Sequence, residues 1–504
     1  MTKFINSEKS LVKLIALLKK NKKKISLAHG VFDVVHIGHI EYFTEAKQIA
    51  DILIVSLTAD KFVNKGLNRP YFKERVRAKF IESINQVDYV VLNNSHSAVN
   101  VINLIKPNFY VKGPDYKKTD GDTHGYLNLE IGAVKKNKGK IFFTSGIQHS
   151  SSKLINERLD FLTDKQKEYI EKIKNSNVNT SFQKEYSQTL KKIKKNKVLI
   201  IGEIIIDKYS HVKDLGKPSK ESILATEFYK NEEFLGGAIP VVKNISQICP
   251  NITFVSIFNS KKIYSSIKKE LNNKVKVKLF KTKNFVDIEK NRYINFNTQR
   301  KIFEVYKFIN KEVFNTQLNS YLKSNIQKFD HVIVCDFGHG LFNSQIVKFL
   351  NKSKYISANI QTNAGNRGFN PFTKYKKLNF LSIDEPELRL GLVDKEKDIH
   401  FLLKKIENKY KNILLTQGER GLNFKAQNQK IFYFPALATN PKDTIGAGDA
   451  AFSFASCFVK NSKNKYLISM IAAIAGALKV NIIGHRDLVD INTVFKTLIN
   501  LIKK

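Results

Sequence analysis

Residues 29–39 read HGVFDVVHIGH, and residues 443–452 read DTIGAGDAAF. Each stretch sets a glycine-containing turn directly before an apolar helical run. Such a turn offers backbone N–H groups, and the start of the helix adds a positive dipole end, so both stretches suit phosphate. In the first, His36 and His39 bracket Gly38, whose missing side chain lets the backbone come close to a ligand. Two imidazoles at this spacing can face one triphosphate and stabilise charge on an attacked α-phosphate and on departing pyrophosphate. H-x-x-H alone also fits a zinc site or two core histidines; the preceding GVFDVVH weakens that alternative. In the second, the amides of Gly446, Ala447 and Gly448 can form an anion hole for a transferring phosphoryl group. Asp449 can accept the proton of an attacking hydroxyl. A glycine-rich turn with an Asp cap is the bland alternative there.

Two such turns, far apart in 504 residues, imply two linked catalytic α/β domains. Around the first, β-rich runs at 25–28, 52–57, 89–92, 109–111 and 141–144 alternate with helical patterns such as 40–50 and 75–84. That alternation predicts a parallel sheet with helices on both faces over residues 1–158. Residues 159–195 turn polar and lysine-rich, which reads as charged helix plus linker. A second α/β domain opens with VLIIGEIIID and fills residues 196–504.

Hydrophobic residues make up 42% and aromatic residues 11% of the chain, which places it among globular proteins and not disordered ones. The formal net charge of +40 alone would point to nucleic acid or an anionic membrane. Lysine greatly outnumbers arginine, however, and is spread over the whole length. Specific nucleic-acid sites favour the arginine fork, so no nucleic-acid partner is expected, and the positive field serves anionic substrates. Cys249, Cys335 and Cys457 form no C-x-x-C pair, so a reducing cytoplasm is expected. No secretory signal pattern opens the chain, and the longest apolar stretch, 467–478, is too short to cross a bilayer. A cytoplasmic protein without a membrane partner follows; the oligomeric state stays open, a homo-oligomer included.

GVFDVVHIGH resembles the signature of the cytidylyltransferase-like nucleotidyltransferases. More closely, residues 29–155 are similar to the adenylyltransferase domain of bifunctional heptose-phosphate kinase/adenylyltransferases. NRPYFKERVRA (68–78), KPNFYVKGPDY (106–116) and IQHSSSKLI (147–155) carry the likeness further. The resemblance implies a Rossmann-like domain in which Phe32 and Asp33 shape the turn over the nucleotide, and His36 and His39 hold its phosphates. It implies that Lys65 and Arg75 neutralise triphosphate charge, and that Lys112, Gly113 and Asp115 lie near the sugar phosphate or metal. Ser151 and Ser152 would grip phosphate at a helix start. For Lys65 a solvated surface charge is the competing reading, and for Asp33 and Asp115 a turn cap.

DTIGAGD resembles the ribokinase-like, phosphofructokinase-B-type sugar kinases, and the similarity runs over residues 198–483. It implies that Asp207 contacts sugar hydroxyls, with Gly236, Gly237 and Asn244 on the substrate side. Asp384 and Glu387, in SIDEPEL, stand at the family's N-x-x-E position, which is linked there to Mg²⁺ and phosphate. Thr416, Gly418 and Gly421, in TQGERG, match a turn near ATP. There are departures. Pro240 stands where a substrate-contacting Asn is usual, Asp384 replaces an Asn, and NIQTNAGNRGFN (359–370) replaces a D-P-K segment. The heptose enzymes also place the kinase first.

The implied function is two-step sugar activation with Mg²⁺. ATP phosphorylates a heptose-like sugar or sugar phosphate, and ATP or CTP then donates a nucleotidyl group to a sugar 1-phosphate, for surface glycan or lipopolysaccharide. A second reading gives the transferase a polyol phosphate, making a CDP-polyol, and leaves the kinase fold as a divergent binding module.

Overall fold

A computed structural model describes residues 3–5, 7–63, 69–114, 126–145, 162–176, 182–271, 275–283, 285–308, 311–438 and 441–503. The chain divides into two compact units, Met1–Phe161 and Leu162–Lys503. Lys65, Asp115, Ser151 and Ser152 lie outside the described residues.

The first unit is built on six strands: β1 (Phe4–Ile5), β2 (Ile25–Gly30), β3 (Ile52–Thr58), β4 (Tyr89–Asn93), β5 (Phe109–Lys112) and β6 (Lys140–Phe143). Every pairing is parallel, in the order β1-β4-β3-β2-β5-β6. Parallel strands are covered on both faces, so successive residues feed two separate cores. On one face Leu27, Ile54 and Tyr110 pack with Leu11, Ile15 and Leu18 of the helix Glu8–Lys20 and Ile102 and Ile105 of Val99–Ile105. On the other, Ala28, Val55 and Val111 meet Phe43 and Ala46 of the helix Ile37–Gln48 and Ile81 of Glu74–Glu82. Phe43 is fully buried, and trimming it to Ala would cost about 3–5 kcal/mol. The order reverses direction beside β2. A ligand crevice forms at such a switch point, past the carboxyl ends of the strands, and there stands the HGVFDVVHIGH turn.

The second unit holds two sheets. The first combines β7 (Val198–Gly202), β10 (Ile252–Phe258), β11 (Lys276–Lys281), β14 (His331–Asp336), β15 (Ile356–Ile360), β16 (Phe380–Asp384), β17 (Ile413–Thr416), β18 (Leu422–Lys425) and β19 (Phe432–Phe434). Their order is β11-β10-β7-β14-β15-β16-β17-β18-β19, parallel up to β17 and antiparallel beyond it. The smaller sheet orders β13 (Lys301–Lys307), β12 (Ile288–Asn295), β8 (Ile204–Gly216) and β9 (Ala225–Gly237) side by side. It was not anticipated from the sequence. In it β12 alternates buried Ile288, Lys290 and Arg292 with less buried neighbours.

Residues 159–195, expected as charged helix and linker, contain the helices Asp164–Ser176 and Phe182–Ile193, both within the second unit. Gln166 donates to the Ala436 carbonyl at 2.6 Å, and Tyr186 stacks on Phe458 and Phe495. Glu185 accepts from Ser462 and Asn464. Their lysines face solvent, while Ile170, Ile173, Tyr186 and Ile193 are buried at helical spacing. The apolar stretch 467–478 lies in the buried helix Lys465–Lys479. No helix among the described residues is long and apolar enough to cross a membrane.

Candidate active sites

In the first unit β2 ends at Gly30 and the chain turns through Phe32, whose φ of 46° is left-handed. A non-glycine residue holds that conformation only where its surroundings compel it. Here the Phe32 ring lies against Gly30, where an added Cβ would come within 3.0 Å of it. The ring also meets His39 edge-on at 5.4 Å and Phe43 at 5.1 Å. Asp33 is buried and accepts three bonds: from Arg69 Nε at 2.7 Å and from the Tyr71 and Phe72 amides at 2.7 and 3.0 Å. The turn is thus clamped to the 69–72 segment.

His36 is the N-cap of the helix Ile37–Gln48, and its ring lies 3.9 Å from that of His39, centroid to centroid. The His36 amide donates to His39 Nδ1 at 3.3 Å. A backbone N–H cannot accept, so this bond assigns the neutral His39 proton to Nε2. Both histidines therefore stand together at a helix start, as the spacing predicts.

Arg75 is exposed, and its neighbour Arg77 is buried. Arg77 pairs with Asp60 at 2.7 Å and donates to the carbonyls of Val31, Thr58 and Phe72. Lys112 is buried in an ion pair with Glu130 at 2.8 Å; Glu130 also accepts from Tyr110 and the Ala98 amide. Burial pushes the Glu130 carboxyl up, but the Lys112 charge, with the other lowering contributions that include the hydrogen bonds from Lys112 and the Ala98 amide, outweighs it and holds the carboxyl below its usual range. Burial and the same lysine push His29 down to about 4, so it is neutral beside Ser56 at 3.1 Å. Gly113 follows Lys112 at the end of β5.

In the second unit a cleft of about 440 Å³ is lined by Asp384, Glu387, Thr416, Gly418, Gly421, Gly446, Ala447, Gly448 and Asp449. All nine residues were expected at the nucleotide, metal and phosphoryl-transfer positions, and three separate segments deliver them. Gly446 caps the helix Ala447–Asn461 in the left-handed region, φ 76°. The first turn of a helix leaves its amides without intrahelical acceptors, which is what an anion needs. Burial raises the Asp449 carboxyl, an effect opposed by His485 and Gln361.

Asp384 and Glu387 form a reciprocal cap at the start of the helix Glu385–Leu392. Asp384 Oδ1 accepts from the Glu387 amide, Glu387 Oε2 from the Asp384 amide, and Glu387 Oε1 from the Thr362 amide. Burial, then the Asp384 charge, pushes the Glu387 carboxyl up to about 8. No cluster of three His, Cys, Asp or Glu able to hold a metal occurs among the described residues.

The expected acceptor-side residues do not line that cleft. Asp207 is buried and paired with Arg292 and, at 3.3 Å, with His485. Burial pushes its carboxyl up, but the His485 hydrogen bond and the Arg292 charge outweigh it and hold it low. Gly237, at φ 64°, has the Glu203 carbonyl where a Cβ would sit, 2.4 Å away. Asn244 is buried and faces Ser453 at 3.4 Å. His485 links the two regions: it lies on Asp207, and its ring comes within 3.2 Å of a Cβ built on Gly446. Lys479 holds the turn before it, donating to the Gly484 carbonyl at 2.6 Å, while Asp443 accepts from the Gly484 amide. Arg292, Lys479, His485 and Gln361 escaped the reading of the sequence, because each reaches the site from a distant segment with no local signature.

A cytidylyltransferase-like family profile matches residues 27–158, and a pfkB family carbohydrate kinase profile matches residues 195–480. Bifunctional protein HldE of Campylobacter jejuni subsp. jejuni serotype O:2 is 43% identical over 111 residues, covering 22% of this chain and 24% of that protein. The protein of the same name from Aliarcobacter butzleri is 40% identical over 118 residues, 23% of this chain and 25% of its own length. These matches fall in the N-terminal domain, so the aligned part spans about a quarter of the curated relatives it matches. Among solved structures, Arabidopsis thaliana ribokinase complexed with ribose and ATP superposes with a TM-score of 0.48 at 17% identity, covering 60% of this chain and 98% of that one. Methanocaldococcus jannaschii nucleoside kinase gives 0.48 at 16%, covering 61% and 99%.

Proposed function

The chain belongs to the pfkB family of carbohydrate kinases through residues 195–480, behind a cytidylyltransferase-like domain at 27–158, and from that premise we propose that its two domains activate one sugar in two steps. The kinase phosphorylates a heptose-like sugar or sugar phosphate with ATP. The transferase then joins a sugar 1-phosphate to a nucleotidyl group from ATP or CTP, giving an NDP-sugar for surface glycan. The observation that carries the kinase half is the convergence of nine motif residues on one cleft, with Asp449 beside the Gly446–Gly448 turn.

In the kinase step Asp449 takes the proton of the acceptor hydroxyl as its oxygen attacks the γ-phosphorus and ADP leaves. The amides of the Gly446 turn meet the charge that builds on the transferred group. Mg²⁺ needs only one or two protein carboxylates beside phosphates and water. Asp384 and Glu387 fit that role, being a carboxylate pair that lines the cleft. Such an ion would offset phosphate charge there. In the transferase step His36 and His39 donate to phosphate oxygens as a sugar phosphate attacks the α-phosphorus and pyrophosphate departs.

The test is a panel of sugars and sugar phosphates crossed with ATP and CTP, following ADP and pyrophosphate and weighing the products. An ADP signal with a sugar acceptor and a pyrophosphate signal with its 1-phosphate are expected. Protein that binds ATP but forms neither product would sink the reading.

A further inference from the structure

We propose that Gln361 is a positioning residue for phosphoryl transfer: its side-chain amide ties one carboxylate oxygen of Asp449 and leaves the other to take the acceptor's proton. The proposal rests on the kinase reading above and adds to it a residue from the segment 359–370, where the chain departs from the kinases it resembles.

The orientation of the amide follows from its neighbours. Ser382 offers a main-chain carbonyl, which can only accept, and Asn359 Nδ2 lies 3.1 Å from it. Asn359 must therefore turn its Oδ1 the other way, toward Gln361 Nε2 at 2.7 Å. That acceptor takes one N–H of Gln361 and fixes which end of the amide faces inward. The second N–H points to Asp449 Oδ1 at 2.6 Å. Gln361 is also held by its backbone. Its amide donates to the Asp336 carbonyl at 2.8 Å, and its carbonyl accepts from Asn370 at 3.0 Å. The relay Ser382–Asn359–Gln361–Asp449 thus runs from β16 across β15 to the first turn of the helix Ala447–Asn461.

A carboxylate that must act as a base needs a fixed rotamer, and a donor on one oxygen supplies it without using the other. An Asp or Glu at 361 could not donate in this way and would set like charges together. The amide also lies in the cleft lining beside Asn359 and Thr362.

The experiment compares wild type, Gln361→Leu and Gln361→Met with Asp449→Asn and the double variant Gln361→Leu/Asp449→Asn. Kinase kcat, KM for ATP, ATP affinity by calorimetry and the unfolding midpoint are measured on the full chain. Leu and Met keep the volume and remove the donor. The expected result is a fall in kcat of about 10- to 10²-fold in both single Gln361 variants, with KM and Kd for ATP within about threefold and the midpoint near wild type. On the Asp449→Asn background the same substitution should change the residual rate less than about twofold, because its effect runs through that carboxylate. A kcat near wild type in Leu and Met variants overturns the proposal. So does a loss that multiplies on the Asp449→Asn background, or one matched by lost ATP binding and a lowered midpoint, since each marks a purely structural role. Wild-type protein that turns over no acceptor overturns the kinase reading itself, an outcome visible before any variant is made.

Discussion

A Cβ added to Gly236 would lie 1.9 Å from Oδ2 of Asp207. The glycine on β9 and the carboxylate on β8 therefore occupy one space, and the acid keeps its place only because its neighbour has no side chain. Gly236→Ala should push Asp207 away from Arg292 and His485. Kinase turnover should fall by roughly 10²-fold, as for a displaced positioning group, while calorimetric ATP affinity stays unchanged, because Asp207 does not line the nucleotide cleft. Unchanged turnover would remove Asp207 from the acceptor side.

His39→Ala should lower pyrophosphate release by roughly 10²-fold or more, the cost of losing a donor to developing charge. Kinase activity should persist, because His39 belongs to the other compact unit. Normal pyrophosphate release in this variant would take His39 out of the mechanism.

Asp449→Asn keeps the shape and hydrogen-bonding capacity of the helix start but cannot take a proton at neutral pH. ADP formation should fall to a small residual rate while ATP and sugar still bind. Parallel calorimetry and an ADP assay check this, and an active variant would assign the base elsewhere.

A fragment that begins at Leu162 should fold and melt as the second unit does in the full chain. One that begins at Lys195 removes the helices Asp164–Ser176 and Phe182–Ile193 and strips Tyr186 from Phe458 and Phe495. Losing one buried aromatic alone costs about 3–5 kcal/mol, so the shorter fragment should melt far lower or precipitate. Equal midpoints would show these helices to be dispensable.

His331 supplies a pH test of stability. Burial, then the Lys460 charge, pushes its imidazole down to about 3, and Nε2 lies 2.8 Å from Ser357 Oγ. Between about pH 6.5 and 3 the unfolded chain binds the proton and the folded one does not. The neutral ring's contribution is therefore complete above pH 6.5 and lost as pH falls. At pH 5 the loss should be on the order of 2 kcal/mol. Denaturant melts of wild type and His331→Asn at pH 7 and 5 should show a smaller acid loss in the variant; equal losses would rule out His331 as the source.

Local patterns were legible because they are local. The runs expected at 25–28, 52–57, 89–92 and 109–111 all lie inside observed strands, and the two glycine-containing turns precede helices as expected. Residues that act across the fold were not. Asp207 was singled out by its motif, but Arg292 and His485, which set its charge, come from β12 and a turn beyond the helix Lys465–Lys479. Arg77, two residues beyond the motif's Arg75, carried no signal in the sequence for the buried bonds it makes to Asp60 and main-chain carbonyls. In 159–195 the lysine excess concealed a sparse apolar stripe, Ile170, Ile173, Tyr186 and Ile193, that a helical count could have found.

The reciprocal cap between Asp384 and Glu387 bears on what a motif can certify. Both side chains close the start of their helix, and loss of such a cap costs about 1 kcal/mol whether or not any phosphate is ever transferred. A descendant that had abandoned catalysis would still be selected to retain the pair, for folding alone. Its persistence in a lineage therefore records ancestry. Living kinases are separated from retired ones by positions where the structural duty can be met by a residue that cannot do the chemistry, and among descendants of this chain an Asn at 449 is the change to look for.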